Sequence, residues 1–253
     1  MPVPLISLLL ALASATPEGS KAAGSFDRCL KQASSMLEDA ACYSTEQERL
    51  EKEQQLLLQG LAARLRRPGL AVTDYPPAIK LLARAQAAWT DYRDADCEVM
   101  DHVFGAGNAA GLAGATCVID HDTNRNAELR ALLQKDHGEG CPRNPHASHP
   151  ETVDCFQQER ERLEVEQGIL LERVTSRLKQ PGPPSTDYAA AAAAMARAQV
   201  AWTTYFAAEC AIDDHLQVRV GSPASSFARC VVDRYRTRNA VLRAWLEDYI
   251  SGA

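Results

Sequence analysis

The sequence predicts an all-α fold made of two tandem, disulfide-bonded three-helix domains. Three observations support this prediction: an internal repeat at an offset of 113 residues, leucine stripes with helical spacing in both copies, and eight cysteines at equivalent positions. The chain has 253 residues, which is enough for two domains of ordinary size. Only 6% of the residues are aromatic although 46% are hydrophobic, and this composition favours helices packed through Leu, Val and Ala.

Residues 1–24 are predicted to be an export signal and a short linker. The apolar run from Leu5 to Ala13 is too short to span a membrane, and Ala13-Ser14-Ala15 has the small residues of a cleavage site. No later stretch approaches the roughly 18 apolar residues of a membrane span. Eight cysteines in an exported chain indicate disulfides, so we expect a periplasmic or secreted protein.

The repeat is marked by residues that recur 113 positions later. They are Trp89 with Trp202, Cys42 with Cys155, Cys97 with Cys210, and Cys117 with Cys230. Cys29 and Cys141 correspond at an offset of 112. The repeat assigns residues 25–137 to a first domain and residues 138–253 to a second. A linker rich in Pro, His and Gly occupies about 138–150.

Each copy is predicted to contain three helices. In the first copy, a leucine stripe from Leu50 to Leu65 indicates an amphipathic helix that ends before Pro68-Gly69. A second, Ala-rich helix runs from about Pro77 to His102. A Gly-rich loop from Gly105 to Gly114 precedes a third helix that begins near Cys117. The counterparts in the second copy are Leu163 to Leu178, about Tyr188 to Leu216, the loop Val220 to Ser226, and a helix from near Cys230.

Four cysteines in each copy allow three connectivities, and the sequence does not choose among them. We favour bridges between neighbours along the chain, because antiparallel helices would bring these helix ends to one pole. The favoured pairs are Cys29–Cys42, Cys97–Cys117, Cys141–Cys155 and Cys210–Cys230.

Residues 85–97, Ala-Gln-Ala-Ala-Trp-Thr-Asp-Tyr-Arg-Asp-Ala-Asp-Cys, resemble the signature of a known family. This family is the LprI-type lysozyme-inhibitor-like domain of bacterial envelope proteins. Its pattern of Trp, Arg, Cys, a Gly-containing loop, Cys and an Arg-bearing helix corresponds to Trp89, Arg93, Cys97, Cys117 and Arg125. In the second copy it corresponds to Trp202, Cys210, Cys230 and Arg238, with Phe206 in place of the first arginine. The resemblance covers about residues 25–135 and 140–250.

The resemblance implies an exported binding protein that blocks lysozyme or a related peptidoglycan hydrolase. Such hydrolases use two carboxylates in a cleft, which an inserted loop could occlude. The loops Gly105–Ala115 and Val218–Ala228, each beside two cysteines, are the expected contact sites. The predicted partner-binding residues are Arg93, Gly105, Gly107, Asn108, Arg219, Gly221 and Ser222. Trp89 and Trp202 are expected in the core, and Arg93 could instead pair with a carboxylate inside the bundle.

The sequence gives less support to nucleic-acid binding, catalysis or metal binding. A net charge of −6 and a pI near 5.6 argue against nucleic-acid binding. No nucleophile motif or phosphate-binding loop is visible, so an enzyme is not expected. Asp101-His102 and Asp120-His121-Asp122 suggest a metal site, but adjacent helical residues face different ways, and neither a metal nor a cofactor is predicted. The rival functions are an envelope adaptor or structural module, and an immunity protein against a cell-wall-degrading toxin.

Overall fold

The protein is described by a computed structural model over residues 19–66, 75–105, 108–134, 149–180, 186–217 and 223–249. No strand occurs within these ranges. The α-helices are α1 (Gly19–Gln32), α2 (Met36–Arg66), α3 (Tyr75–Phe104), α4 (Asn108–Gln134), α5 (His149–Leu178), α6 (Tyr188–Gln217) and α7 (Pro223–Ala244), followed by a π-helical turn at Trp245–Tyr249. None of these helices is both long and apolar enough to cross a membrane.

The chain divides into two compact units, Met1–Ser44 and Thr45–Ala253. In the first unit, α1 is joined to the start of α2 by a disulfide between Cys29 and Cys42. The rings of Phe26 and Tyr43 also meet edge to face at 5.2 Å. The glycines of this segment favoured a linker in the sequence, so α1 was not predicted.

The helix that follows each Gly-rich segment begins earlier than predicted. The structure places α4 from Asn108, so most of the expected loop Gly105–Gly114 is helical. Alanines between the glycines offset their helix cost of about 1 kcal/mol each. A Cβ atom at Gly114 would lie 2.4 Å from Asp101 Oδ1, so a larger residue there would displace the Asp101 side chain. Likewise α7 begins at Pro223, inside the second expected loop, since proline suits the first position of a helix.

α3 and α6 pack against each other in antiparallel directions. The amide of Asp187, just before α6, donates to the carbonyl of His102 near the end of α3 at 3.1 Å. Farther along, the rings of Tyr92 and Tyr205 stack at 6.3 Å. Each helix has 30 residues and is therefore about 45 Å long. Each helix is long enough for its C-terminal end to pack against helices of the other half of the sequence.

The apolar clusters of the second unit therefore combine residues from both halves. One cluster packs Leu61, Leu82 and Leu129 against Ile212 at the end of α6. Another packs Val99 and Met100, at the end of α3, against residues of α5, α6 and α7: Leu170, Val174, Leu178, Met195, Leu242 and Trp245. The apolar core of the second unit is thus shared between the two halves of the sequence.

Candidate functional site

Charged groups are completely buried where α3, α4, α6 and α7 meet. The Arg125 guanidinium donates to both carboxylate oxygens of Glu209, at 2.8 and 3.2 Å, and to the Tyr205 hydroxyl at 3.0 Å. Its Nε and Nη2 also donate to the side-chain oxygen of Gln86, each at 3.3 Å. Arg125 and Glu209 are both 0% exposed, so this ion pair lies entirely away from water.

The same arrangement occurs again with the halves exchanged. Arg238 donates to Asp96 Oδ1 at 2.7 Å and to the Tyr92 hydroxyl at 3.1 Å. Burial alone would raise the pKa of Asp96, but Arg238 and a hydrogen bond from His121 hold it below its usual value. Each arginine therefore binds a carboxylate of the other half.

His121 distinguishes the first half from the second. Its Nε2 lies 3.0 Å from Asp96 Oδ2, and its ring meets Tyr92 edge to face at 5.0 Å. An ionised Asp96 accepts a hydrogen bond from Nε2–H, and in the neutral ring of that tautomer Nδ1 is an acceptor. The position 113 residues later is Arg234, which forms an ion pair with Glu128 instead.

Arg93, a predicted partner-binding residue, is already bonded within the protein. It donates to Asp122 Oδ1 at 3.1 Å and to Asp94 at 2.9 Å, and its guanidinium lies 5.2 Å from the centre of the Trp89 ring. Only 15% of its side chain is exposed, and Asp122 is fully buried. The arrangement matches the alternative of a carboxylate partner inside the bundle.

In the second half, an aromatic pair replaces this ionic one. Phe206 and Tyr235 stand at the positions equivalent to Arg93 and Asp122, and their ring centroids are 5.7 Å apart. Phe206 also packs on Trp202 at 4.7 Å. Trp89 and Trp202 are 2% and 3% exposed. The second half therefore has no equivalent of the Arg93 guanidinium.

Of the other predicted partner-binding residues, the structure describes Gly105 and the backbone of Asn108. Gly105 ends α3 in the left-handed region at φ 72°, as a helix-terminating glycine does. It lies about 18 Å along α3 from Arg93, at 1.5 Å per residue. Asn108 begins α4. Outside the described residues lie Gly107, Arg219, Gly221 and Ser222.

Two further disulfides each join a pair of neighbouring helices, one pair in each half of the sequence. Cys97 is bonded to Cys117, joining α3 to α4, and Cys210 is bonded to Cys230, joining α6 to α7. These bridges and Cys29–Cys42 follow the pairing favoured from the sequence. The expected Cys141–Cys155 bridge falls outside the described residues, because Cys141 does.

Cys97, Cys117 and His121 have possible metal-ligand atoms within 4.8 Å of one another. Both sulfur atoms belong to a disulfide. A thiolate is the form that binds a metal, so these two cysteines offer no such ligand while the bridge is intact.

Two clefts lie at equivalent places between α4 and α7. The first, here called the His121 cleft, has a volume of about 300 Å3. The second, the Arg234 cleft, has about 290 Å3. Residues at matching positions line them, paired as Met100 with Asp213, Thr116 with Arg229, Asp120 with Asp233, His121 with Arg234, Asn124 with Thr237, Val241 with Glu128, and Trp245 with Leu132. The clefts thus share a framework and differ in chemistry.

Comparison with known proteins gives one curated relative and one solved structure. An uncharacterized protein of Rhizobium meliloti (strain 1021) is 28% identical over 85 residues, 34% of this chain, and the chain spans 61% of its length. The crystal structure of an uncharacterized protein from Burkholderia thailandensis covers 93% of this chain and 98% of its own, at a TM-score of 0.55 and 16% identity. That similarity supports the helical fold. Over residues 29–129, which hold Trp89, Arg93 and both disulfides of the first half, the sequence matches the family described as Lysozyme inhibitor LprI.

Proposed function

We propose that this chain is an exported bacterial binding protein that inhibits lysozyme or a related peptidoglycan hydrolase by occluding its cleft. The match of residues 29–129 to the Lysozyme inhibitor LprI family carries the proposal. The net charge of −6 also favours encounter with a basic lysozyme, an effect on association rate more than on affinity.

The corner between α3 and α4 is the contact surface that we propose. Gly105 turns the chain there, and the Cys97–Cys117 bridge fixes the two helices to each other. The close approach of Gly114 to Asp101 packs the helices tightly beside the bridge. A corner held in this way loses little conformational entropy on binding, which strengthens an occluding contact. Gly111, on the same stretch of α4, is exposed and available to a partner.

We further propose that residues 1–24 direct export and that residues 25–137 and 138–253 are two copies of one domain. Disulfides persist in oxidising compartments such as the periplasm, and the three described bridges support that location. The reciprocal pairs Arg125–Glu209 and Arg238–Asp96 support the duplication, because their members correspond at the repeat offset.

The proposal is tested by lysis of a cell-wall suspension with several lysozymes, using the oxidised protein without residues 1–24. Two exposed helical glycines provide a matched pair of variants, since a Cβ atom at Gly111 or at Gly168 would meet nothing within 4 Å. Gly111→Arg should weaken inhibition about tenfold or more, because its side chain stands on the contact surface. Gly168→Arg, on α5, should inhibit like the unmodified protein.

Circular dichroism of each variant establishes that it is folded. Equal inhibition by both variants would exclude the α3–α4 corner as the contact. A folded, oxidised protein that slows none of the lysozymes would refute the inhibitor function itself.

A further inference from the structure

The His121 cleft is half apolar and half polar. Met100, Val241 and Trp245 form its apolar part, and Met100 and Trp245 are almost fully buried. Asp120, His121 and Asn124 supply polar groups on α4. Among the described residues that line it there is no lysine or arginine, so Asp120 gives this cleft a negative charge.

Two charged side chains of the equivalent cleft have ion-pair partners within the protein. In the Arg234 cleft, Arg234 pairs with Glu128, and Asp233 lies 3.6 Å from Arg236. The matching positions in the His121 cleft hold His121 and Val241, which cannot form such a pair. Among the described residues, Asp120 has no ion-pair partner. Asp120 is exposed; desolvation raises the pKa of its carboxyl, and the neighbouring His121 lowers it.

The backbone also differs at this cleft. The chain leaves α-helical geometry at Trp245 and makes a π-helical turn to Tyr249. At the equivalent place in the first half, Leu132 lies within the regular helix α4. π-Turns are rare, and they are frequent at functional sites. In this protein the turn begins at Trp245, which lines the cleft.

From these observations we infer that the His121 cleft binds an organic cation, a primary ammonium or guanidinium group on an apolar stem. The stem lies against Met100, Val241 and Trp245, and the cationic head meets the carboxylate of Asp120. The Nδ1 of His121 and the amide oxygen of Asn124 are further acceptors for its N–H groups. A volume of about 300 Å3 accommodates a group of this size.

Such a cation has two sources with the same chemistry. It can be a free small molecule, or it can be a lysine or arginine side chain of a partner protein. The cleft can bind a small cation whether or not the chain blocks a hydrolase.

The test uses the oxidised, full-length mature protein and two probes of equal length. N-acetyl-lysine methylamide carries the ammonium group, and N-acetyl-norleucine methylamide has the same apolar stem without it. Binding is followed by isothermal titration calorimetry and by tryptophan fluorescence, because Trp245 lines this cleft and Trp89 and Trp202 do not. We expect saturable binding of the lysine compound at least tenfold tighter than that of the norleucine compound.

Asp120→Asn and Asp233→Asn form the matched pair of variants, since they remove equivalent carboxylates from the two clefts. Asp120→Asn should weaken binding of the lysine compound about tenfold, the effect of one charged hydrogen bond. Asp233→Asn should leave it unchanged. No binding, equal affinity for both probes, or equal effects of both variants would overturn the inference.

The cell-wall lysis assay then identifies the source of the cation. If Asp120→Asn weakens inhibition and Asp233→Asn does not, the cleft receives a side chain of the hydrolase. If Asp120→Asn abolishes binding of the lysine compound and leaves inhibition intact, the ligand is a small molecule. A protein that binds the lysine compound without inhibiting any lysozyme would refute the proposed function and leave the cleft site standing.

Discussion

Glu209→Gln should destabilise the whole Thr45–Ala253 unit through a contact between the two halves of the sequence. The change removes the negative charge that faces the fully buried Arg125, which would then have only Tyr205 and Gln86 as neutral partners besides the new amide. Breaking a buried ion pair by removing one partner costs about 3–5 kcal/mol, because the remaining charge stays away from water. We expect a loss near 3 kcal/mol, since the glutamine amide keeps one acceptor.

The double variant Arg125→Met, Glu209→Leu should recover most of that loss. It leaves no charge buried, and replacing a buried pair by apolar side chains of similar size is often nearly neutral. Urea denaturation followed by circular dichroism measures all three free energies of unfolding. The shared clusters also predict a single unfolding transition for this unit.

Two results would refute this reasoning. A loss below about 1 kcal/mol for Glu209→Gln would mean that water or another group compensates the arginine. Two separated transitions, with only the later part of the chain affected, would mean that each half holds its own core.

Arg93→Phe should cost about 2–3 kcal/mol, because Asp122 is fully buried and loses its cation. Adding Asp122→Tyr should recover at least half of that loss, as the pair then matches Phe206 and Tyr235; no recovery in thermal unfolding would contradict this. Hydrogen bonds from Arg162 and Arg236 lower the pKa of Glu159 from 4.5 to about 2. Its carboxylate therefore stabilises the fold above pH 4.5, and that contribution is lost as the pH falls towards 2. Glu159→Gln should cost at most about 1 kcal/mol at neutral pH and nothing near pH 2. A difference from the unmodified protein that does not shrink with acidification would be the contrary result.

The sequence predicted the long helices well because their signals are local. The leucine stripes and the Pro-Gly pairs lie within single helices, and α2 ends at Arg66, just before Pro68. The Gly-rich segment before Cys117 was misjudged for the same reason. Glycines favour a loop when the local sequence is considered alone, whereas Gly114 lies within α4.

The buried ion pairs could be predicted only in part. Arg125 and Arg238 recur at the repeat offset, and so do Asp96 and Glu209 on their Ala-rich helices. That recurrence marks the two arginines, whereas an aspartate at one position and a glutamate at the other do not stand out as their partners. The pairing depends on how α3 and α6 cross between the halves, and no local pattern specifies such a long-range arrangement.

The differences between the halves come as compensating pairs. Arg93 with Asp122 becomes Phe206 with Tyr235, so an ionic contact in one half corresponds to an aromatic contact in the other. His121 and Val241 of the first cleft correspond to Arg234 and Glu128 of the second. Arg234 and Glu128 form an ion pair, and His121 and Val241 do not. The buried arginine–carboxylate pairs that join the halves are present on both sides. Because those pairs and the shared clusters hold the two halves together, the clefts beside them can differ in charge without loss of the fold. The His121 cleft, whose acidic group has no ion-pair partner among the described residues, is therefore where we expect a ligand to complete the contact.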